Sequence, residues 1–279
     1  MKIKIGADPE VFAYDKRTGK PVSVHDIIPG NKLEPAKVPR GAIQVDGVAA
    51  EFNIHPASSR AEFVRNIKKV YEFLGKVVLE KDPNLELKAT PCALFDQDYF
   101  DKLPFECLQL GCEPDFDAYT LMMKNKPKTD KPLRTGAGHI HIGFNETIKP
   151  KKDLLDIDYM KKCASLVYEL DWAFGPVQTY WDSDEERRTL YGEPGTFRPK
   201  PYGLEYRVLS NAWLKETWSI MYVHDLTKGI TQLWSHGFSP KKSWDELKKK
   251  PNSLKGFCDY LQKIKLPSLE NYIEGVLER

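Results

Sequence analysis

Hydrophobic and polar residues alternate in several short segments near the start of the chain, and a period of two is typical of β-strands. The alternation predicts strands over residues 2–6, 11–14, 42–46 and 48–54. The dipeptide Asp46-Gly47 separates the last two and predicts a β-hairpin, because glycine tolerates the positive φ of a tight turn.

Apolar residues recur every three or four positions in three longer segments, which is the helical period. These segments predict helices over residues 59–81, 159–181 and 214–235. Ser59 and Glu62 have the spacing of a capping box, which places the start of the first helix. Further strands are expected over residues 85–90, 139–144 and 204–209, with one or two short helices after residue 252.

Strands and helices interleave along the chain without a regular strand–helix–strand alternation. We therefore expect an α+β fold with a mostly antiparallel sheet. Neither of two candidate linkers, residues 124–134 and 236–252, divides the sequence convincingly. We expect a single domain over residues 1–279, in which residues 213–279 form a helical C-terminal part.

The overall composition excludes several classes of protein. Lys and Arg number 42 against 40 Asp and Glu, a formal net charge of +2, so a broad nucleic-acid footprint is not expected. The sequence has no long apolar run and no apolar leader, which predicts neither a membrane span nor a secretory signal. Its five cysteines form no C-x-x-C pair and are expected to be free thiols, Cys112 among them, in a cytoplasmic protein.

Polar residues at alternate positions are the most informative feature of the predicted strands. The pairs and triplets are Asp8 and Glu10; Glu51, Asn53 and His55; His139 and His141; and Glu205 and Arg207. Residues two apart on a strand lie on one face, so each strand presents its set to one side of the sheet.

Two interpretations of this face stay open from the spacing alone. Solvated sheet faces are common in antiparallel proteins, but they favour Thr, Lys and Tyr over clustered acids. Clustered carboxylates repel one another unless a cation neutralises them, and carboxylates with imidazole suit Mg²⁺ or Mn²⁺. Metal binding is the favoured interpretation. For Asp46 and Arg134 the ordinary alternatives are a turn residue and a charged loop residue.

A second cluster of candidate residues surrounds the Gly- and Pro-rich stretch YGEPGTFRPKPYG, residues 191–203. Its glycines allow a ligand to approach the backbone closely. Nearby cations offer phosphate contacts, and the arginines can make them in bidentate geometry. These cations are Arg187, Arg188, Arg198 and Lys200. A surface loop with a few cations is the ordinary alternative.

Five segments in this order resemble a known family. They are GADPEVF, QVDGVAAEFNIHP, GCEPDF, RTGAGHIHIG and YGEPGTFRPKPYGLEYRVLSN. Together they resemble the phage and bacterial COOH–NH2 ligases of type 2, predicted amidoligases related to glutamine synthetase and glutamate–cysteine ligase. The resemblance extends from residue 6 to about residue 212.

The resemblance implies a curved, mostly antiparallel sheet of the glutamine synthetase type, with helices packed on its outer face and a funnel for ATP and metal. The implied metal ligands are Asp8, Glu10, Glu51, His139 and Glu205. Asp8 departs from the glutamine synthetase pattern, which has Glu there, and its side chain is shorter by one methylene, which changes the metal geometry at this position.

The implied activity is an ATP- and Mg²⁺-dependent ligation of a carboxylate to an amine through an acyl phosphate, with Mn²⁺ as a possible substitute. Arg207 and Arg198 would stabilise the transferring phosphoryl group, and Asp46 would bind or deprotonate the amine. The implied ATP contacts are His139, His141, Arg187, Arg188, Lys200 and Arg207. The implied substrate contacts are Asp115, Arg134 and Asn53.

Two other functional classes remain as alternatives. A zinc-dependent hydrolase would use His139 and His141 with one carboxylate. A non-catalytic binding protein would retain the fold without the chemistry. The ligase hypothesis implies a carboxylate substrate and an amine acceptor, which is a small molecule, a peptide or a protein. It also allows an oligomer, and a location in the host cytoplasm if a phage encodes the chain.

Overall fold

The computed structural model describes residues 2–108, 114–124, 132–144, 153–242 and 254–273. The strands within these ranges are β1 (Lys4–Ala7), β2 (Glu10–Asp15), β3 (Pro21–Val22), β4 (Ala36–Val38), β5 (Gly41–Asp46), β6 (Ala49–Ile54), β7 (Leu85–Lys88), β8 (Cys92–Leu94), β9 (Phe116–Asp117), β10 (Leu133–Thr135), β11 (Ile140–Gly143), β12 (Thr196–Lys200) and β13 (Gly203–Tyr206).

Seven α-helices lie in the same ranges: α1 (Arg60–Lys81), α2 (Gln97–Phe100), α3 (Phe105–Leu108), α4 (Ile157–Phe174), α5 (Glu185–Leu190), α6 (Thr217–Ser235) and α7 (Leu254–Lys263). Short 3₁₀ turns cover Gln178–Tyr180, Asn211–Leu214 and Leu269–Asn271. Across these described helices, none is both long enough and apolar enough to cross a bilayer.

The strands form two larger sheets and one small one. The first sheet has the order β1-β11-β13-β12-β9, and the second has the order β3-β2-β6-β5-β4 with β7 also paired to β2. Strands β8 and β10 pair separately. Every strand pair between described residues is antiparallel, which confirms the expected mixture of helices and antiparallel sheet. In the described ranges no sheet closes on itself.

Helices cover one side of each larger sheet. Helix α4 packs against β12 and β13, α1 packs against β5, β6 and β7, and α6 contacts both α1 and α4. In β11 and β13 the side chains of Ile140, Ile142, Leu204 and Tyr206 are buried at alternate positions. The residues between them therefore point to the other side of the sheet, away from the helices.

The predicted helix boundaries are confirmed at the first helix and shortened at the second. The Ser59 hydroxyl accepts a hydrogen bond from the Glu62 N–H, as the capping box predicts. The Glu62 carboxylate accepts from the Ser58 N–H rather than from Ser59. Helix α4 ends at Phe174 rather than at residue 181, because Pro176 lacks the N–H that a further turn would need.

The hairpin predicted at Asp46-Gly47 is confirmed. Strands β5 and β6 pair with Asp46 opposite Ala49, and Gly47 has a φ of 60° in the turn between them. Free thiols are also confirmed in the described residues: Cys107, Cys163 and Cys258 are buried, and Cys92 is partly buried. Cys112 lies outside the described residues.

The Gly- and Pro-rich stretch of residues 191–203 contains a strand, β12, in its second half. Arg198 pairs with Glu205 of β13, and a turn at Pro201 and Tyr202 joins the two strands. The Thr196 carbonyl accepts the Arg207 N–H and so faces β13. Backbone polar groups alternate in direction along a strand, so those of Pro199, three residues later, face the side of β9. Strand β9 pairs only with Thr196 and Phe197, so the missing N–H of Pro199 interrupts no ladder.

A partly buried carboxylate ties α4 to the strands. Asp171 accepts hydrogen bonds from the Tyr206 hydroxyl at 2.8 Å, the Tyr119 hydroxyl at 3.0 Å and the Gly195 N–H at 2.6 Å. Tyr206 lies between Glu205 and Arg207, so this contact fixes the strand from the side opposite to those two residues. Burial raises the pKa of Asp171 to about 6, although the three donors oppose that shift.

At pH 4 we expect Asp171→Ala to lower the free energy of unfolding by about 2–4 kcal/mol, because it leaves the buried Tyr206 hydroxyl and the Gly195 N–H without an acceptor. Chemical denaturation measures the change. The matched control is Asp158→Ala, an exposed acid in the first turn of the same helix, which should cost less than about 1 kcal/mol. Equal losses in the two variants would contradict an anchoring role.

The stabilisation from Asp171 should depend on pH. Its pKa is higher in the folded chain than in the unfolded chain, so the folded state binds the proton more tightly between pH 4 and about 6. The contribution is therefore complete below pH 4 and falls by about 3 kcal/mol as the pH rises through 6. The difference in unfolding free energy between the wild type and Asp171→Ala should shrink over that range. A difference that grows with pH would contradict the raised pKa.

Candidate functional site

The polar face of the first sheet is organised by strand register. One cross-strand row consists of Gly6, His141, Glu205 and Arg198, on β1, β11, β13 and β12 respectively. In the next row Asp8 lies beside His139, and the His139 carbonyl accepts the Asp8 N–H at 3.4 Å. Arg207 lies beside Thr196 in the same row. The candidate residues of three separate segments therefore lie on one face.

The second sheet brings further acids to the same place. Glu10 on β2 pairs with Glu51 on β6, and Glu51 in turn pairs with Gln44 on β5. Pro9 is the single residue between Asp8 and Glu10, and its carbonyl accepts the Phe52 N–H at 3.1 Å. The chain thus passes from one sheet to the other between the two acids, so both sheets contribute to one site.

The first acid cluster consists of Asp8, His141 and Glu205. Each has a potential ligand atom within 4.8 Å of the other two. The His141 Nε2 atom lies 2.9 Å from the Asp8 carboxylate, and its Nδ1 atom lies 2.5 Å from the Tyr202 hydroxyl. The pKa of His141 is raised: burial alone would lower it, but the charge of Asp8 and the hydrogen bond to Asp8 have the larger effect.

The second acid cluster consists of Glu10, Asp46 and Glu51, again with ligand atoms within 4.8 Å of one another. Burial, followed by repulsion from Asp46, raises the pKa of Glu10 to about 7. Burial and repulsion from Asp8 and Asp46 raise the pKa of Glu51 well above its ordinary value. The Ala137 N–H donates to Glu10 at 3.0 Å and Gln44 donates to Glu51 at 2.9 Å.

Cations surround Glu205, on the other side of the first cluster. Lys200 lies 2.9 Å and Arg198 3.6 Å from its Oε2 atom, and Arg207 donates to its Oε1 atom. Burial would raise the pKa of Glu205, but Arg207, the two histidines and Lys200 lower it well below the ordinary value. Glu205 is therefore charged and compensated by protein cations. In the second cluster Lys32 lies 3.7 Å from Asp46, and Glu10 and Glu51 have raised pKa values instead.

Asp115 holds the two arginines in place. Its Oδ1 atom lies 2.8 Å from Arg207 Nε and 2.9 Å from Arg198. Tyr191 accepts from Arg207, and its hydroxyl lies 3.3 Å from Asp115 and 3.5 Å from His139 Nε2. Sequence reasoning missed Tyr191 and Tyr202 as site residues. Their positions at the two ends of the Gly- and Pro-rich stretch were the available signal.

His139 differs from His141 in its electrostatic state. It is only 4% exposed, and its Nδ1 atom lies 3.1 Å from Arg207 and 3.3 Å from Glu205. Burial and the Arg207 charge lower the pKa of His139 well below its ordinary value, so its ring is neutral at pH 7.

Three expected ligand-binding arginines do not join these clusters through any contact between described residues. Arg187 is 1% exposed and donates to the Val208 carbonyl at 3.1 Å. Arg188 donates to the Asp182 carbonyl, and Arg134 donates to the Leu108 carbonyl and stacks on Phe100. Their roles in binding ATP or substrate stay predictions.

A cavity of about 730 Å³ opens beside the acid clusters. Asp8, Glu51 and His141 form its inner end, and Asn53 and Tyr202 lie on its walls. Its volume falls in the range of small-molecule sites, which is about 300–1,000 Å³. The structure therefore places Asn53, an expected substrate contact, next to the expected metal ligands.

The residues present fit divalent metal ions. Every donor of the second cluster is a carboxylate oxygen, which is the ligand type that Mg²⁺ and Mn²⁺ prefer. The first cluster adds one imidazole, and the Asp8 Oδ1 atom is buried without a hydrogen-bond partner. A buried acceptor and three mutually repelling acids are the features that a bound cation would satisfy.

Comparison with known proteins does not place the chain in a family. No protein-family model matches it, and no curated protein matches it in sequence. The interpretation of the site therefore depends on its geometry.

We expect Glu51→Gln to stabilise the metal-free protein by about 0.5–2 kcal/mol, because it removes one of three repelling charges and keeps an acceptor for Gln44. The same variant should lose most of the rise in melting temperature that Mn²⁺ gives the wild type. Calorimetric melting with and without Mn²⁺ measures both effects.

The matched control for that variant is Glu80→Gln, an exposed acid in α1, which should change neither quantity. A full Mn²⁺ response in Glu51→Gln would remove Glu51 from the set of metal ligands.

Proposed function

We propose that the chain is an ATP- and Mg²⁺-dependent carboxylate–amine ligase. The observation that carries the proposal is the convergence of two acid clusters and one group of cations on a single face beside a cavity. A glutamine synthetase-like curved sheet, implied by the sequence resemblance, is part of the same proposal.

The proposed reaction has two steps. A substrate carboxylate oxygen attacks the γ-phosphorus of ATP, and ADP leaves. The amine nitrogen then attacks the acyl carbon, phosphate leaves, and the nitrogen loses a proton to form the amide. Bound Mg²⁺ would supply charge neutralisation for the phosphate oxygens, held by Asp8, Glu10, Glu51, Glu205 and one histidine.

The cations of the site suit the phosphoryl group. Arg198, Lys200 and Arg207 form ion pairs with Glu205, and Asp115 fixes the direction of both guanidinium groups. Fixed donors of this kind stabilise negative charge as it develops, and they need no reorganisation during the reaction. Because Arg207 is held by Glu205, Asp115 and Tyr191, its position is set before any ligand binds.

Asp46 has the position required of an amine-binding group. It lies at the end of β5, only partly buried, next to the hairpin turn. An amine reaches the site as an ammonium ion, and the excess negative charge of Glu10, Asp46 and Glu51 attracts it. Asp46, whose side chain is 27% exposed and lies 3.7 Å from Lys32, would exchange that ion pair for the ammonium ion and accept its proton.

His141, rather than His139, is the better metal ligand. Its Nε2 atom faces Asp8 within the first cluster, and its Nδ1 atom is held by Tyr202, as is typical of a metal-binding histidine. The Nδ1 atom of His139 faces Arg207, a cation that would repel a bound metal. His139 therefore serves to position Arg207.

The zinc-hydrolase alternative has one observation in its favour, the single histidine and two carboxylates of the first cluster. It leaves the second cluster and the three cations without a role. Metal analysis with an ATP titration separates the two hypotheses. One equivalent of zinc without ATP binding would favour the hydrolase. Tight ATP binding without any turnover would favour a non-catalytic protein.

The decisive assay incubates the protein with ATP, Mg²⁺ and mixtures of amino acids and peptides. Mass spectrometry should find a product lighter by one water than its two reactants together, in an amount equal to the ADP released. Glu10→Gln should reduce that product by about 100-fold or more, because it removes a charged ligand from the site.

Arg198→Lys should also reduce the product, by about tenfold or more, because lysine cannot make the paired contacts of a guanidinium group. The matched controls are Glu80→Gln and Arg65→Lys, exposed substitutions in α1 that should leave turnover unchanged. Full activity in Glu10→Gln would overturn the site assignment.

A further inference from the structure

The cavity beside the acid clusters is polarised along its length. Strand β1 and the residues beside it line one wall, where Lys2, Lys4, Gly6 and Asp8 follow one another at alternate positions and Ala7 lies next to Asp8. At about 3.3 Å per residue, the backbone positions of Lys4 and Lys2 lie about 13 and 20 Å from that of Asp8. The acids are therefore at one end and the lysines at the other.

The outer end of the cavity offers unpaired hydrogen-bond donors. Among the described residues, neither Lys2 nor Lys4 has an ion-pair or hydrogen-bond partner. Two cationic groups at this end of the cavity suit a ligand with a negatively charged end.

The middle of the cavity has a floor without side chains. Gly6 and Gly143 line it on β1 and β11, and neither has a positive φ. A Cβ atom built on Gly143 would lie 3.5 Å from the nearest neighbour, and one on Gly6 would also lie 3.5 Å away. The backbone would tolerate a side chain at both glycines. Because neither glycine has one, the space that a side chain would fill is open to a ligand.

The phosphate-binding cations lie away from this cavity. Arg198 and Arg207 are on β12 and just after β13, beyond Glu205, and neither lines it. The nucleotide phosphates and the contents of the cavity would therefore meet the acid clusters from different sides. This arrangement favours the second substrate, rather than the nucleotide, as the occupant of the cavity.

We propose that the cavity binds the carboxylate substrate, and that this substrate is an elongated molecule with a second anionic group held by Lys2 and Lys4. The two anionic groups would be about 10–15 Å apart, as set by the strand between Asp8 and the lysines. The inference deepens the proposed ligase function and rests on it. It adds the class of substrate, a long dianion, such as an extended acidic peptide or a dicarboxylate.

Titration calorimetry in the presence of Mg²⁺ tests the proposal with sebacate and with its monomethyl ester. The two probes have the same length, but the ester has only one anionic end. We expect sebacate to bind about tenfold more tightly, the effect of one charge-assisted contact. The double variant Lys2→Ala/Lys4→Ala should lower sebacate affinity to that of the ester.

Two further variants complete the test. Gly143→Val fills the floor of the cavity and should abolish sebacate binding, and a thermal melt shows whether it remains folded. Lys68→Ala/Lys76→Ala removes two exposed lysines of α1 and should bind sebacate as the wild type does. Equal affinity for the two probes, no sebacate binding, or wild-type affinity in the variant that lacks Lys2 and Lys4 would each overturn the proposal.

A parallel titration with a non-hydrolysable ATP analogue and Mg²⁺ separates this inference from the ligase function. Analogue binding without a preference for sebacate would overturn the inference and leave the ligase proposal standing. Loss of analogue binding in Gly143→Val would assign the cavity to the nucleotide and would also overturn the inference. A wild-type protein that binds no analogue would overturn the ligase function itself.

Discussion

Repulsion among closely spaced carboxylates is the constraint on which the rest of this structure depends. Asp8, Glu10, Asp46, Glu51 and Glu205 come from both larger sheets and lie in two adjoining clusters. Burial and mutual repulsion raise the pKa of Glu10 and Glu51, so bringing these groups together opposes folding at neutral pH. A protein retains such a cluster where another function requires it.

The two halves of the site meet this constraint in different ways. Around Glu205, the protein supplies its own cations, and the pKa of that carboxyl is low. Around Glu10 and Glu51 the hydrogen-bond donors are a backbone N–H and an amide, and the Arg207 charge does not outweigh the burial and repulsion that raise the pKa of Glu10. The cations beside Glu205 are suited to contact with anions, and the carboxylates of both clusters are suited to cations. This arrangement is the physical basis for proposing phosphate and metal contacts on adjoining parts of one face.

The scaffold opposes the repulsion through contacts on the other side of the sheets. Helix α4 packs on β12 and β13, and Asp171 holds Tyr206 and Gly195 from behind the strands that carry Glu205, Arg207 and Arg198. Antiparallel registers fix which side chains become neighbours, so the spacing of the acids is set by backbone hydrogen bonds. The free energy that assembles the site therefore comes from apolar packing and backbone pairing outside it.

The sequence by itself determined the local elements and the faces of the strands. Period-two polarity identified Asp8, Glu10, Glu51, His139, His141, Glu205 and Arg207, because alternation is a property of neighbouring residues in one segment. It also located the hairpin at Gly47 and the start of α1 at Ser59. It did not show β12, because Pro199 and two glycines suggest a loop until a partner strand is known. Only the tertiary structure decided that Glu10 lies against Glu51, that Asp115 bridges two arginines, and that Lys2 and Asp8 occupy opposite ends of one cavity. These relations join residues far apart in the chain, and their distances depend on strand register and sheet packing, which the spacing within one segment does not encode.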